Sequence, residues 1–251
     1  MSELILETKE LTKNFGGLCA VGGVDFMVRS GEVVALIGPN GAGKTTFFNL
    51  LSGVLPPSSG RIYFKGRDIS GLPPHRRCRL GLSRTFQKTS LFPELSVFEN
   101  LRLGAEVGYG RRNAFWRKAD RDPRVQEVVE GLLALVEFQD KAQELTGNLS
   151  HGDQRLLEVL MGLATRPDLL LLDEPSAGLS PAETRQLTRQ VKRLSQESIK
   201  TVIIVEHDME VVAELASRIC VLHQGRILCT GSLQEVKSDP RVQEVYLGRS
   251  A

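Results

Sequence analysis

The chain has few cysteines, no long apolar run and almost no net charge, and each lack removes a class of protein. The cysteines of the 251-residue sequence are Cys19, Cys78, Cys220 and Cys229. None forms a C-x-x-C pair, and their spacing suggests neither a metal site nor a disulfide framework. They are expected to be reduced, core or near-core residues of a cytosolic protein. No run approaches eighteen apolar residues, so no membrane span is expected. Met1-Ser2-Glu3-Leu4-Ile5-Leu6-Glu7 lacks the basic start and apolar stretch of a signal peptide, so any membrane role is expected to come through a partner. A formal net charge of +2 argues against a general nucleic-acid binder, and no nucleic-acid partner is expected. Internal repeats, low-complexity tracts and heptad runs are missing too.

What is present is enough chain, 41% of it hydrophobic, for one large domain or two tightly joined lobes with a substantial core. One stretch organises it. Gly38-Pro39-Asn40-Gly41-Ala42-Gly43-Lys44-Thr45 fits the phosphate-binding pattern G-x-x-x-x-G-K-[ST] at every fixed position. The apolar run Val33 to Ile37 before it reads as a buried strand, and Thr46 to Leu51 after it reads as a helix opening. Glycines let backbone N–H groups approach phosphate oxygens, and the helix N-terminus adds unpaired donors and a positive dipole end. Lys44 would reach the β- and γ-phosphates of a nucleotide, and the Thr45 hydroxyl would ligate Mg²⁺.

Downstream, Leu169 to Leu172 run into Asp173-Glu174. A buried strand here would deliver a carboxylate to its C-terminal end, beside the phosphate loop. Asp173 would hold Mg²⁺, and Glu174 would orient and polarise an attacking water. Phe15, on what reads as an exposed strand end, suits stacking on a purine ring; core packing is the alternative.

The remaining chain supplies the frame. Residues 4–30 read as short strands. Arg61 to Gly66 read as a strand entering a hairpin. Pro73-Pro74 opens a short basic helix whose His75, Arg76, Arg77 and Arg79 read as a solvated face. Leu82 to Gln87 read as a strand. Ser96 would cap a helix starting near Val97. Residues 108–124 are glycine-rich, then basic around Phe115 and Trp116, which fits a solvated loop or a contact with lipid head groups or a membrane partner. Val125 to Val136 carry a helical apolar face. Residues 168–251 alternate strand and helix. They include a helix from Pro181 to Leu194, a buried strand Thr201 to Val205, a helix Met209 to Ser217 and a hairpin turning at Gln224-Gly225. Ser232 with Glu235 forms a capping-box pattern.

Leu149-Ser150-His151-Gly152-Asp153-Gln154-Arg155 precedes a helix through Leu156, Val159, Leu160 and Leu163. Here the sequence resembles the ATP-binding subunits of ABC transporters, whose signature is L-S-G-G-Q at a helix start. Leu149, Ser150 and Gly152 are kept. His151 and Asp153 depart from the pattern, and Gln154 comes one position late. Ser150 still supplies a hydroxyl and Gly152 a close backbone N–H. Other family elements occur in order. Phe15 matches the adenine-stacking aromatic. Gln87 matches the glutamine that joins the nucleotide core to a helical lobe and ligates the metal. Ser176 to Ser180 match the loop after the acidic pair, with Ser180 where aspartate is usual. His207 matches the histidine that contacts the γ-phosphate. Phe15-Gly16-Gly17-Leu18, Arg84-Thr85-Phe86-Gln87, Leu91-Phe92-Pro93-Glu94 and Tyr246-Leu247-Gly248 look like the branched-chain amino acid importer subfamily, a look shared by urea and amide importers.

The resemblance implies an α/β fold. Its phosphate-loop NTPase core has a mostly parallel sheet with helices on both faces, and to this are added an N-terminal antiparallel β region and an inserted helical lobe. Residues 1–87 and 166–251 would form the core and residues 88–165 the lobe. It implies an ATPase with ATP and Mg²⁺. Gly38, Asn40, Gly41, Ala42, Gly43, Lys44, Thr45 and Thr46 would grip the nucleotide with Phe15, and Ser150 and Gly152 would close on it. Glu174, His207 and Gln87 are the expected catalytic residues, and Thr45, Gln87 and Asp173 the expected metal ligands. The implied partners are a second ATPase subunit, identical or paralogous and placed head to tail, and permease subunits contacting the groove by Gln87. A periplasmic or extracellular solute-binding protein would act indirectly. That places the chain on the cytoplasmic face of the cell membrane, held there through the permease. Import of branched-chain amino acids, or a related amino acid, amide or urea, is the expected function. The alternatives are an exporter subunit, or a soluble ABC-type ATPase acting on ribosome or DNA.

Overall fold

A computed structural model describes residues 3–85, 91–109, 122–198 and 201–247. The chain divides into two compact units, one of Met1–Arg77 with Lys200–Ala251 and the other of Cys78–Ile199.

The first unit begins with two twelve-residue strands, β1 (Leu4–Phe15) and β2 (Leu18–Arg29), paired antiparallel. Short strands were the expectation. The polar interruption at Lys9-Glu10 does not end β1, because a register shift between Thr8 and Leu11 absorbs it. Glu10 takes a left-handed conformation (φ 46°) there, and its N–H donates to Asp25 Oδ1 at 2.7 Å. The buried strand β3 (Val33–Ile37) leads through the glycine-rich loop to α1 (Lys44–Ser52). Phe47 of α1 meets Phe26 of β2 edge to face, 5.5 Å between ring centroids. β4 (Ser59–Phe64) pairs with β1, and β5 (Arg67–Asp68) extends the antiparallel sheet to the order β2-β1-β4-β5.

The short helix α2 (Pro74–Arg79) follows as its Pro-Pro start predicts. One of its arginines departs from the solvated face expected of it. Arg77 is 1% exposed, and its guanidinium donates to the carbonyls of Leu50, Leu51, Leu72 and Ser70 at 2.7–3.1 Å. It adds donors at the last carbonyls of α1, where Leu50 otherwise has only the capping Gly53 N–H, and the sequence pattern of α2 does not disclose this. Burial lowers its pKa to about 10.

In the second unit, β6 (Leu82–Arg84) runs parallel to β7 (Leu169–Asp173). The strand stops at Arg84, short of the expected end at Gln87; Gln87 itself lies outside the described residues. Ser96 and Glu99 form a reciprocal cap on α3 (Val97–Gly108). Asp122 caps α4 (Pro123–Leu135), whose Val125, Val129, Leu132 and Leu133 are buried as the periodicity predicts. The basic residues of 111–121, with Phe115 and Trp116, lie outside the described residues. Ser150 caps α5 (His151–Ala164). Helices α3 and α5 pack closely at glycine: a Cβ on Gly104 would lie 2.7 Å from the Met161 carbonyl. Ser180 caps α6 (Pro181–Glu197).

The chain then returns to the first unit with β8 (Val202–Val205), α7 (Met209–Leu215), β9 (Arg218–His223) and β10 (Arg226–Gly231). β3 lies between β8 and β9, parallel to both, and β10 closes that edge antiparallel to β9. The short helices α8 (Leu233–Ser238), capped by Ser232 with Glu235 as expected, and α9 (Pro240–Leu247) complete it. Cys220 is buried on β9 and its thiol pKa is pushed up to about 11 by burial. Cys19 is exposed, against the near-core expectation, because the first residues of β2 face solvent. Among the described residues no helix is long and apolar enough to cross a membrane.

Candidate functional site

The loop from Gly38 to Gly43 is wound around its own lysine. Lys44 is 6% exposed, and its ammonium donates to the carbonyls of Gly38 (2.7 Å) and Pro39 (3.0 Å). Two glycines make the path possible. Gly43 is left-handed (φ 97°), and a Cβ there would collide with the Ala20 carbonyl; at Gly38 a Cβ would collide with that of Leu222. The hairpin turn at Gln224-Gly225 supports the loop from outside, with Gly225 N–H donating to the Ala42 carbonyl at 2.9 Å.

The end of α1 at this loop differs from the starts of α3, α6 and α8. Gly43 offers no side-chain cap, and the first turn holds no acidic residue. Helices α3, α6 and α8 each begin with a serine and a glutamate that cap reciprocally. The α1 N-terminus thus keeps N–H donors and the positive end of its dipole for an anion from outside the chain. Asn40, Gly41 and Thr45 are exposed, Thr46 is half-buried and Ala42 is buried in the loop.

Two further residues belong to the same unit. Phe15 ends β1 and is 46% exposed, with the Lys13 ammonium 5.3 Å from its ring centroid. Its strand partner is Leu18, two residues before Ala20, whose carbonyl packs against Gly43. His207 is exposed just beyond β8, with its backbone N–H on the buried Glu206 carboxylate at 3.1 Å. Since β8 and β3 are adjacent and parallel, His207 and the glycine-rich loop leave the same end of that strand pair.

The second unit holds the acidic pair. Asp173 ends β7 at 4% exposure, and its Oδ2 accepts from Arg84 Nη2 at 2.6 Å. Glu174 follows, half-buried and left-handed at φ 47°. A non-glycine residue held in that region costs about 1 kcal/mol, the kind of strain found at functional sites.

The motif at 149–155 opens α5 in the same unit. Ser150 Oγ accepts from the Asp153 N–H at 3.1 Å. The departures from the L-S-G-G-Q pattern have local partners. Asp153 pairs with Lys141 at 2.6 Å, and the Gln154 amide donates to the carbonyls of Thr146 and Leu149. A Cβ on Gly152 would sit 3.3 Å from Glu183 Cγ, so the α5 start lies against α6. Glu183 accepts from Ser180 N–H at 2.9 Å, and these contacts with Ser180 hold its carboxyl below the usual range. The sequence signal for this reciprocal cap is the S-x-x-E pattern at 180–183. The Arg84–Asp173 pair had no sequence signal, since its members lie 89 positions apart.

Comparisons with known proteins bear on both units. Residues 21–177 match the ABC transporter family, and residues 226–251 match the family described as branched-chain amino acid ATP-binding cassette transporter. The high-affinity branched-chain amino acid transport ATP-binding protein BraF of Pseudomonas aeruginosa is 40% identical, over 100% of both chains. A solved structure of the ADP conformation of an ATP-binding cassette of an ABC transporter is 33% identical. It superposes with a TM-score of 0.83 over 98% of this chain and 99% of that one. A dimeric cassette in a post-hydrolysis state, bound to ADP and Pi, is 25% identical, with a TM-score of 0.75 over 91% of this chain and 99% of that one.

Proposed function

The chain belongs to the ABC transporter ATP-binding family, and from that premise we propose that it is the subunit that couples ATP binding and hydrolysis to import of branched-chain amino acids through a membrane permease. The observation that carries the reading is the uncapped N-terminus of α1, fed by a loop folded around Lys44. A triphosphate supplies the negative charge that this helix start lacks.

In the proposed cycle, the loop amides and Lys44 hold the β- and γ-phosphates while Phe15 stacks on the base. His207 contacts the γ-phosphate, and Glu174 orients the attacking water, its carboxylate taking up the proton released. Ser150 and Gly152 of a second subunit, placed head to tail, would complete the site. ATP then favours the closed pair and ADP the open one, which is the differential binding any ligand-driven switch requires. The lobe proposed at 88–165 would pass the change to the permease. That contact would hold the chain at the cytoplasmic face of the membrane.

Magnesium is the proposed metal. Among the described residues no three His, Cys, Asp or Glu side chains gather as a metal cage. Thr45 and Asp173 offer a hydroxyl and a carboxylate, with Gln87 as a third proposed ligand outside the described residues. Such a sparse oxygen donor set suits Mg²⁺, which keeps several waters and takes substrate phosphates as ligands. When bound it would neutralise charge on the phosphates.

The test is purification of the tagged chain from membranes. The reading expects hydrophobic permease subunits to co-purify and the complex to hydrolyse ATP faster when a branched-chain amino acid and its binding protein are added. Recovery of the chain with ribosomes or DNA, and no permease, would overturn it.

A further inference from the structure

Arg84 and Asp173 form a buried ion pair at the ends of two adjacent parallel strands. Arg84 is the last residue of β6, and its pairing partner in the parallel register is Leu171 of β7. The Thr85 N–H continues the ladder onto the Leu171 carbonyl at 2.9 Å, which fixes the backbone beside the end of β7. From there the guanidinium reaches two residues along and meets Asp173 Oδ2 at 2.6 Å. The two side chains are 9% and 4% exposed. Burying a carboxylate without a partner is costly, so the guanidinium fixes where this one sits. A Mg²⁺ ligand must keep its aim, also when no metal is bound.

We propose that Arg84 is a positioning residue for Asp173: it holds the carboxylate aimed while the metal is absent, and its positive charge limits how strongly the site draws Mg²⁺ without nucleotide. The inference rests on the nucleotide-site reading. Two cations near one carboxylate repel, so removing the guanidinium strengthens the attraction of Asp173 for Mg²⁺. Removing it also leaves a buried charge unpaired, which destabilises the metal-free protein until the charge is removed too. Lysine at 84 keeps a positive charge but loses the planar fork.

The experiment compares wild type, Arg84→Lys, Arg84→Gln and Arg84→Gln/Asp173→Asn in the full chain. One measurement is the melting temperature of the nucleotide-free protein with EDTA or with millimolar Mg²⁺. The other is affinity for a fluorescent ADP in the same two conditions. Wild type and Arg84→Lys are expected to melt at nearly the same temperature with and without Mg²⁺. Arg84→Gln is expected to melt lower in EDTA and to regain stability with Mg²⁺. The double variant is expected to regain it without metal. Mg²⁺ should tighten ADP binding by a factor about fivefold larger in Arg84→Gln than in wild type. If Arg84→Gln fails to fold, recovery of folding in the double variant supports the proposal, and failure of both overturns it. Equal Mg²⁺ responses in wild type and Arg84→Gln also overturn it. Should wild type not bind ADP in either condition, the nucleotide-site reading is the one that falls.

Discussion

The Lys44 ammonium lies 2.7 Å from the Gly38 carbonyl, so the first and seventh residues of the phosphate loop are joined by a side chain as well as by the backbone. The lysine thus ties the loop to itself, and in the proposed cycle it would also present a cation to phosphate. Lys44→Ala removes both. Charge-assisted hydrogen bonds contribute about 1.5–3 kcal/mol each, so ATP affinity should fall by about ten- to a hundredfold. Equilibrium binding of a fluorescent ATP analogue checks this; unchanged affinity would contradict the role given to the loop.

Glu174→Gln keeps the size and the neighbours of the side chain but removes the acceptor for a proton. ATP should still bind, while hydrolysis falls by about 10²- to 10⁴-fold, the range for loss of a general base. Single-turnover hydrolysis at saturating ATP separates the two effects. Wild-type turnover in this variant would assign the proton to another group.

Arg77 donates to four carbonyls from the end of α1 and the turn before α2. Arg77→Met would leave the Leu50 carbonyl only its bond from the Gly53 N–H and would take the guanidinium donors from the carbonyls of Leu51, Leu72 and Ser70, at a cost of about 3 kcal/mol or more. Arg77→Lys should recover part of this, since an ammonium has donors but not the fork. Urea unfolding midpoints measure both. Equal midpoints for wild type and Arg77→Met would show that the carbonyls find other partners.

The caps at α3, α6 and α8 make stability depend on pH. Glu99, Glu183 and Glu235 all have pKa values below the ordinary 4.5, chiefly through hydrogen bonds from their cap serines. Their folded values lie below their unfolded ones. The contribution is therefore complete above the unfolded value and is lost as pH falls through the folded one. Ser180→Ala should lower the urea midpoint at about pH 7, and the difference from wild type should shrink at pH below about 4. A difference independent of pH would mean that the Glu183 charge takes no part in the cap.

How much of this was legible beforehand follows from the range of the interactions. The phosphate loop, the serine-capped helices at 97 and 233 and the apolar strands at 33 and 169 are local patterns, and each formed where the sequence placed it. The misses are contacts made at a distance. Arg77 reads as solvent-facing until α1 ends against it, and Arg84 reads as one of a strand's polar residues until β7 lies alongside. The long β1 was hidden for a different reason: a bulge lets a strand pass through residues that propensity alone would count as its end. The departures at His151, Asp153 and Ser180 were visible but not interpretable from spacing. Asp153 has its partner in Lys141 and Ser180 in Glu183, on segments outside the motifs themselves.

The central claim is that ATP turnover in this chain drives amino-acid import. Uptake of radiolabelled leucine tests it most directly, in cells whose own copy of the chain is deleted and replaced by wild type, Lys44→Ala or Glu174→Gln at equal expression. The account predicts leucine uptake with wild type and background uptake with either variant. Uptake at the wild-type level with both variants would contradict it.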